Sequence, residues 1–93
     1  MIKSFHCKET QKVWGGTVST RLPRDIQQIA RRKLRILNNA NQLTDLYIPP
    51  GNHLEPLKGN KLGLYSIRIN KQWRICFRWV DGNAYHVIIE DYH

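Results

Sequence analysis

The sequence predicts an α+β domain in which helices pack on a mainly antiparallel, twisted sheet. Two periodicities and the break between them carry this prediction. From Pro23 to about Asn39 the apolar residues Ile26, Ile29, Ala30, Leu34 and Leu37 recur at helical spacing. From Tyr65 onward the period changes to two, in three successive runs, as expected of strands with one buried face. Between them, Ile48-Pro49-Pro50-Gly51-Asn52 cannot continue a helix. One apolar stripe and one apolar sheet face satisfy each other by packing together.

Residues 2–6 (IKSFH) alternate in part and read as an opening strand. Ser19 or Thr20 precedes Pro23, and proline suits a first helical turn because its missing N–H would be unpaired there in any case. The polar face of the helix carries Arg24, Arg31, Arg32 and Arg35. Asn38-Asn39-Ala40-Asn41 weakens that helix, and a short turn follows at Leu43–Leu46. Past the proline connector, Tyr65, Ile67 and Ile69 alternate with Ser66 and Arg68. Trp73, Ile75, Phe77 and Trp79 alternate with Arg74, Cys76 and Arg78. Asp81-Gly82-Asn83 is a hairpin turn leading to a third strand through Tyr85-His86-Val87-Ile88-Ile89.

The chain has 93 residues, enough for one domain (1–93) with a thin core. Apolar residues make up 41% and charged residues 24%, which excludes a disordered chain. There are no repeats or long linkers. Cys7 and Cys76 form no CxxC pair, and His6, His53, His86 and His93 show no metal-binding spacing, so no metal or other cofactor is expected. No apolar run is long enough to cross a bilayer, and the first ten residues carry no signal-like apolar segment; a cytoplasmic protein is expected. Fifteen Lys and Arg against seven Asp and Glu give a net charge of +8, which favours a polyanionic partner, above all nucleic acid.

Strand alternation places that charge. If the Trp, Ile and Phe positions face the helix, Arg68, Arg74 and Arg78 share the opposite, open face. Residues 53–79 contain six bases (Lys58, Lys61, Arg68, Lys71, Arg74, Arg78) and one acid, Glu55. An exposed sheet face so charged is a surface for phosphates. Trp73, Trp79 and Tyr65 belong to the packed face and are expected to fill the core. Cys76 alternates toward the basic face with nothing nearby to make it a nucleophile.

The segment His53-Leu54-Glu55-Pro56-Leu57-Lys58-Gly59-Asn60, followed by Gly63-Leu64-Tyr65-Ser66-Ile67-Arg68 and Trp73-Arg74-Ile75 and closed by Asp91-Tyr92-His93, resembles the toxins of type II toxin–antitoxin modules in the RelE/ParE superfamily. Within it, the pattern is most similar to the HigB subgroup, the plasmid maintenance killer proteins. The likeness runs from the opening MIKSF to the final EDYH. It implies a small RelE/ParE-like sheet-and-helix fold and a ribosome-dependent endonuclease that cuts messenger RNA without a metal. In such enzymes a 2′-hydroxyl attacks the adjacent 3′-phosphate, leaving a 2′,3′-cyclic phosphate and a 5′-hydroxyl.

That reaction needs a base, cations for the phosphorane and an acid for the leaving oxygen. Carried onto this chain, the resemblance assigns Arg74, Arg68 and Lys58 to the phosphate and its transition state. Glu55 stands where many HigB relatives have histidine and where YoeB toxins have a catalytic glutamate; it is either the general base or a salt-bridge partner of Lys58 or Arg74. Tyr92 and His93 end the motif, and which of them is the acid stays open. Imidazole titrates near neutrality, and tyrosine can stack on a base. Lys61, Lys71 and Arg78 are expected to bind the RNA backbone. The implied partners are a HigA-like helix-turn-helix antitoxin, the ribosome and its mRNA, with operator DNA reached only through the antitoxin complex and no membrane. The competing reading is a non-catalytic ParE-like inhibitor that binds DNA gyrase.

Overall fold

The computed structural model describes residues 1–57 and 63–91. Helix α1 (Lys8–Trp14) and helix α2 (Arg24–Asn39) pack on one face of a four-stranded sheet. Its strands are β1 (Glu55–Pro56), β2 (Leu64–Arg68), β3 (Trp73–Val80) and β4 (Asn83–Asp91), in sequential order and antiparallel throughout. The α+β architecture, the long helix and the three-strand meander are those the periodicities predicted.

Helix α2 buries Ile26, Ala30, Leu34 and Leu37 completely, with Ile29 at the margin. Across from them lie Ile67, Ile75, Phe77, Val87 and Ile89. Each large aliphatic residue so buried contributes roughly 1.5–3 kcal/mol. Tyr65, Trp73 and Trp79 pack at the edge of this core as expected, with Phe77 stacked on Tyr65 and edge-on to Trp79, each at 6.3 Å.

The residue capping α2 is Pro23. Ser19 is instead buried in the preceding loop, where its hydroxyl donates to Glu9 Oε1 (2.6 Å) and accepts from the Arg21 amide. Gln27, in the first turns of α2, holds that loop through the Ser19 amide and carbonyl and the Leu22 carbonyl. The Ser19 hydrogen bond holds the Glu9 carboxyl below its ordinary range. Arg31 is half-buried, and its Nε has no hydrogen-bond partner.

Several elements depart from the sequence reading. Residues 2–6 do run along β4, in parallel, yet form only two isolated bridges, Ile2 to Ala84 and Phe5 to Val87. A bulge in β4 near His86 (φ 54°) breaks the regular repeat a longer ladder would need. The same bulge shifts the phase of β4, so Ala84, Val87 and Ile89 all reach the core. Helix α1 carries too short a stripe to show in the sequence: its buried residues are Val13 and Thr10. The Thr10 hydroxyl accepts from the Ile89 amide at 2.9 Å, so a polar residue fastens this helix to the sheet.

The turn expected near Leu43 is a 3₁₀ helix over Leu43–Tyr47. Asp45 caps it by accepting from the Asn41 and Gln42 amides, and those bonds lower its pKa. The proline connector contains one 3₁₀ turn, Pro50–Asn52, whose Asn52 is fully buried. Asn52 donates to the Leu46 and Ile48 carbonyls and accepts from Lys33 Nζ at 2.6 Å. Burial of Lys33 lowers its pKa. At the β3–β4 hairpin, Asp81 and Gly82 both have positive φ (49° and 80°), as a type I′ turn requires.

Candidate active site

The open face of the sheet carries Glu55 from β1, Leu64, Ser66 and Arg68 from β2, Arg74, Cys76 and Arg78 from β3, and Ile88 and Glu90 from β4. The cross-strand register sets them side by side: Glu55 faces Ser66, Arg68 faces Arg74, Ser66 faces Cys76, and Arg74 faces Glu90. Arg74 therefore sits in the third of four strands, with an arginine on one side and a carboxylate on the other.

Alternation predicted three exposed guanidinium groups on this face; the structure separates them. Arg74 is only 8% exposed. Its Nε donates to Ser66 Oγ at 2.8 Å, and its Nη2 to the carbonyls of His53 (2.6 Å) and Ser66 (3.4 Å). The reason lies upstream. Asn52 anchors the connector to α2, and His53 adopts a left-handed conformation (φ 44°), bringing its carbonyl over β3 and starting β1. Arg68 is half-buried, its Nε donating to the Asn70 carbonyl at 3.1 Å. Arg78 is exposed.

Glu55 lies beside this corner with its side chain 60% exposed, and Oε2 is 4.0 Å from Arg74 Nη2. At that distance the two attract through space without a hydrogen bond. Lys71 is exposed in the turn between β2 and β3. At the end of β4, Asp91 stands opposite Trp73 and accepts from Gln72 Nε2 at 2.9 Å. The expected site residues Lys58, Lys61, Tyr92 and His93 lie outside the described residues.

Ser66, the His53 carbonyl and Asn52 position Arg74, and sequence reasoning assigned none of them a role. Ser66 left one trace, a small polar residue between Tyr65 and Ile67 on the arginine face. Glu90 was also missed, and it makes the face less uniformly basic than the 53–79 segment suggested. Among the described residues, no cluster of three or more His, Cys, Asp or Glu is placed to hold a metal ion, and no helix is long and apolar enough to cross a membrane.

Chemically, the corner offers a guanidinium in a fixed orientation, a second one beside it and an accessible carboxylate. That set can grip a phosphodiester and accept a proton next to it.

Comparison with known proteins places this chain among the small RelE-like toxins. The architecture is that of the crystal structure of a YafQ point mutant from E. coli, at TM-score 0.65 over 98% of this chain and 93% of that one, with 13% sequence identity. Residues 3–93 match the HigB-like toxin family, described as RelE-like toxins of type II toxin–antitoxin systems, and the chain belongs to that family. Toxin HigB-1 of Vibrio cholerae serotype O1 is 48% identical over 69 residues, covering 74% of this chain and 73% of that protein. Endoribonuclease HigB of Proteus vulgaris is 35% identical over a 94-residue alignment covering all of both chains. Membership in a type II toxin–antitoxin family implies an antitoxin as partner.

Proposed function

We propose that this chain is an endoribonuclease that cuts messenger RNA on the ribosome. The observation that carries the proposal is the Arg74 corner, a buried, three-point-anchored guanidinium beside Arg68 and the exposed Glu55, in a relative of a protein named Endoribonuclease HigB. Glu55 takes the proton of a ribose 2′-hydroxyl, and O2′ bonds to the adjacent phosphorus. Arg74, Arg68 and Lys58 stabilise the negative charge that builds on the phosphorane. The P–O5′ bond breaks, and the leaving oxygen takes a proton from Tyr92 or His93. Products are a 2′,3′-cyclic phosphate and a 5′-hydroxyl, and the scheme requires no metal.

Lys61, Lys71 and Arg78 hold neighbouring phosphates. Dependence on the ribosome follows from how little of the RNA so shallow a site can orient alone. The antitoxin is a HigA-like helix-turn-helix protein, through which the complex reaches operator DNA, and the setting is the cytoplasm. The gyrase-inhibitor alternative is disfavoured by the HigB identity of the matched family.

Mapping RNA 5′ ends after brief induction tests the proposal, together with incubation of purified protein with naked mRNA and with translating ribosomes. Cuts confined to translated regions, absent from naked RNA, are expected. Efficient cleavage of free RNA would sink ribosome dependence, and an intact message in both settings would sink the nuclease.

A further inference from the structure

The helix side of the sheet, away from the Arg74 corner, holds a cation that the mechanism above does not use. Arg31 of α2 is half-buried, and its Nε is sealed from water with no acceptor. Among the described residues, its guanidinium makes no hydrogen bond or ion pair. Glu9, on the adjoining helix, is turned to Ser19 and Lys12 instead. A charged donor withdrawn from water without a partner carries a desolvation cost that a bound acceptor offsets.

Gly16 fixes how this group is presented. Its φ is 86°, and a Cβ there would lie 3.2, 3.3 and 3.5 Å from Arg31 Nη2, Cζ and Nη1. Such even spacing sets the flat face of the guanidinium against the glycine backbone. Arg31 lines a cleft of about 190 Å³ between the end of α1 and α2, with Val13, Thr17, Val18 and Gln28 around it. Gln27 holds the loop that forms one wall, through Ser19 and Leu22. The cleft is therefore built before anything enters it.

Its chemistry selects the occupant. The edge of a guanidinium matches the paired oxygens of a carboxylate or of a phosphate. The walls separate the two, because Val13 lies buried at the base and Val18 stands 50% exposed at the rim. A sugar–phosphate backbone gains nothing from an exposed valine, whereas the methylene stem of an acidic side chain and its apolar neighbours bury against it. Arg24, Gln28, Arg31 and Arg35 recur at i, i+4, i+7 and i+11 along one side of α2. That stripe complements an acidic stretch of polypeptide. Arginines in preformed clefts are residues on which protein interfaces concentrate affinity, and family membership supplies a protein partner, the antitoxin.

We infer that the Arg31 cleft seats a carboxylate side chain from an acidic stretch of the antitoxin, with an apolar neighbour of that residue on Val18. The inference rests on family membership and is independent of RNA cleavage.

The test titrates isotopically labelled intact protein with a capped Leu-Glu-Ala-Leu-Glu peptide, its Gln counterpart and a hexauridylate RNA. Backbone amide signals of Val13, Gly16, Thr17, Val18 and Gln28 should move at a several-fold lower concentration with the acidic peptide than with either other probe. Arg31→Gln should erase that advantage. Val18→Asp, at an exposed position, should weaken the acidic peptide by like charge, and thermal melts check that both variants fold. Equal shifts by the Glu and Gln peptides, or shifts outside the cleft, overturn the site. A response to hexauridylate at the lowest concentration makes the cleft a nucleic-acid surface and overturns the acidic occupant. With the antitoxin itself, Arg31→Gln should raise the dissociation constant about 10-fold; an unchanged constant removes the antitoxin from the cleft. Wild-type protein that cuts no RNA defeats the nuclease reading instead and leaves these binding outcomes standing.

Discussion

Arg74 and Arg78 stand four residues apart on one strand and face the same way, yet their settings are opposite. Arg74 is roofed by the turn at His53 and the two residues of β1, and its Nε and Nη2 donate to Ser66 and His53. Arg78 has no such roof among the described residues and is exposed to water. The two positions share residue type and strand, so the difference comes from what the chain lays over them. A guanidinium held by protein acceptors meets a phosphate in one geometry, while an exposed one adapts to whatever anion arrives.

The comparison breaks most directly at Arg74. Arg74→Ala should lower single-turnover cleavage on programmed ribosomes by about 10²–10³. It should also destabilise the fold, by roughly 1–3 kcal/mol in a denaturant melt, because buried acceptors lose their donor. Arg74→Lys restores charge without the planar fork and should recover stability better than rate. A variant that cuts at the wild-type rate would remove the active site from this corner.

Asn52→Ala acts one step back. It strands a partly buried lysine and two carbonyls, so a stability loss of about 1–3 kcal/mol is expected. Cleavage should fall as well, because the His53 carbonyl loses its anchor. Loss of stability with unchanged cleavage by the folded fraction would separate the connector from the site. Ser66→Ala removes one acceptor of Arg74 and should cost about 1 kcal/mol, with a lower cleavage rate and little change in RNA affinity.

Arg78→Ala should leave the melting temperature unchanged, since exposed charged side chains contribute roughly 0–1 kcal/mol. Its cleavage defect should be far smaller than that of Arg74→Ala and sensitive to salt. An equal defect in both variants would erase the distinction between the two ends.

The smallest effect is on pH. Glu9 and Asp45 have folded-state pKa values below their ordinary 4.5 and 3.8, so both bind protons more weakly in the folded chain. Their stabilisation is present above those ordinary values and is lost as pH falls through the lowered ones. Thermal melts between pH 6 and about 2 should show this loss, and Glu9→Gln should flatten part of the slope. A slope unaffected by Glu9→Gln would detach the Ser19 loop from acid stability. Neither carboxylate lies in the site, so this loss belongs to the scaffold.

Periodicity made α2 and the three long strands legible, because each repeats its pattern over enough residues to stand out. Helix α1 did not stand out: it spans two turns, and one of its two buried positions is a threonine. Strand β1 was invisible for a related reason, being two residues long with proline as one of them. The site was legible as a face but not in depth. A period of two says on which side Arg74 emerges; whether water reaches it depends on His53, twenty-one positions upstream. Glu90 was hidden by the apolar run Val87-Ile88-Ile89, whose phase the bulge near His86 resets.

The parallel bridges joining residues 2–5 to residues 84–87 set the order of events during synthesis. Both partners of this pairing exist only once residue 87 has been added, and the core also requires Val87 and Ile89 against α2. Contacts so distant along the chain are closed late and slowly. A nascent chain from which residue 87 has not yet emerged therefore lacks the finished sheet on which Arg74 is held. Any activity that rests on the Arg74 corner, the proposed cleavage included, therefore waits for the last strand.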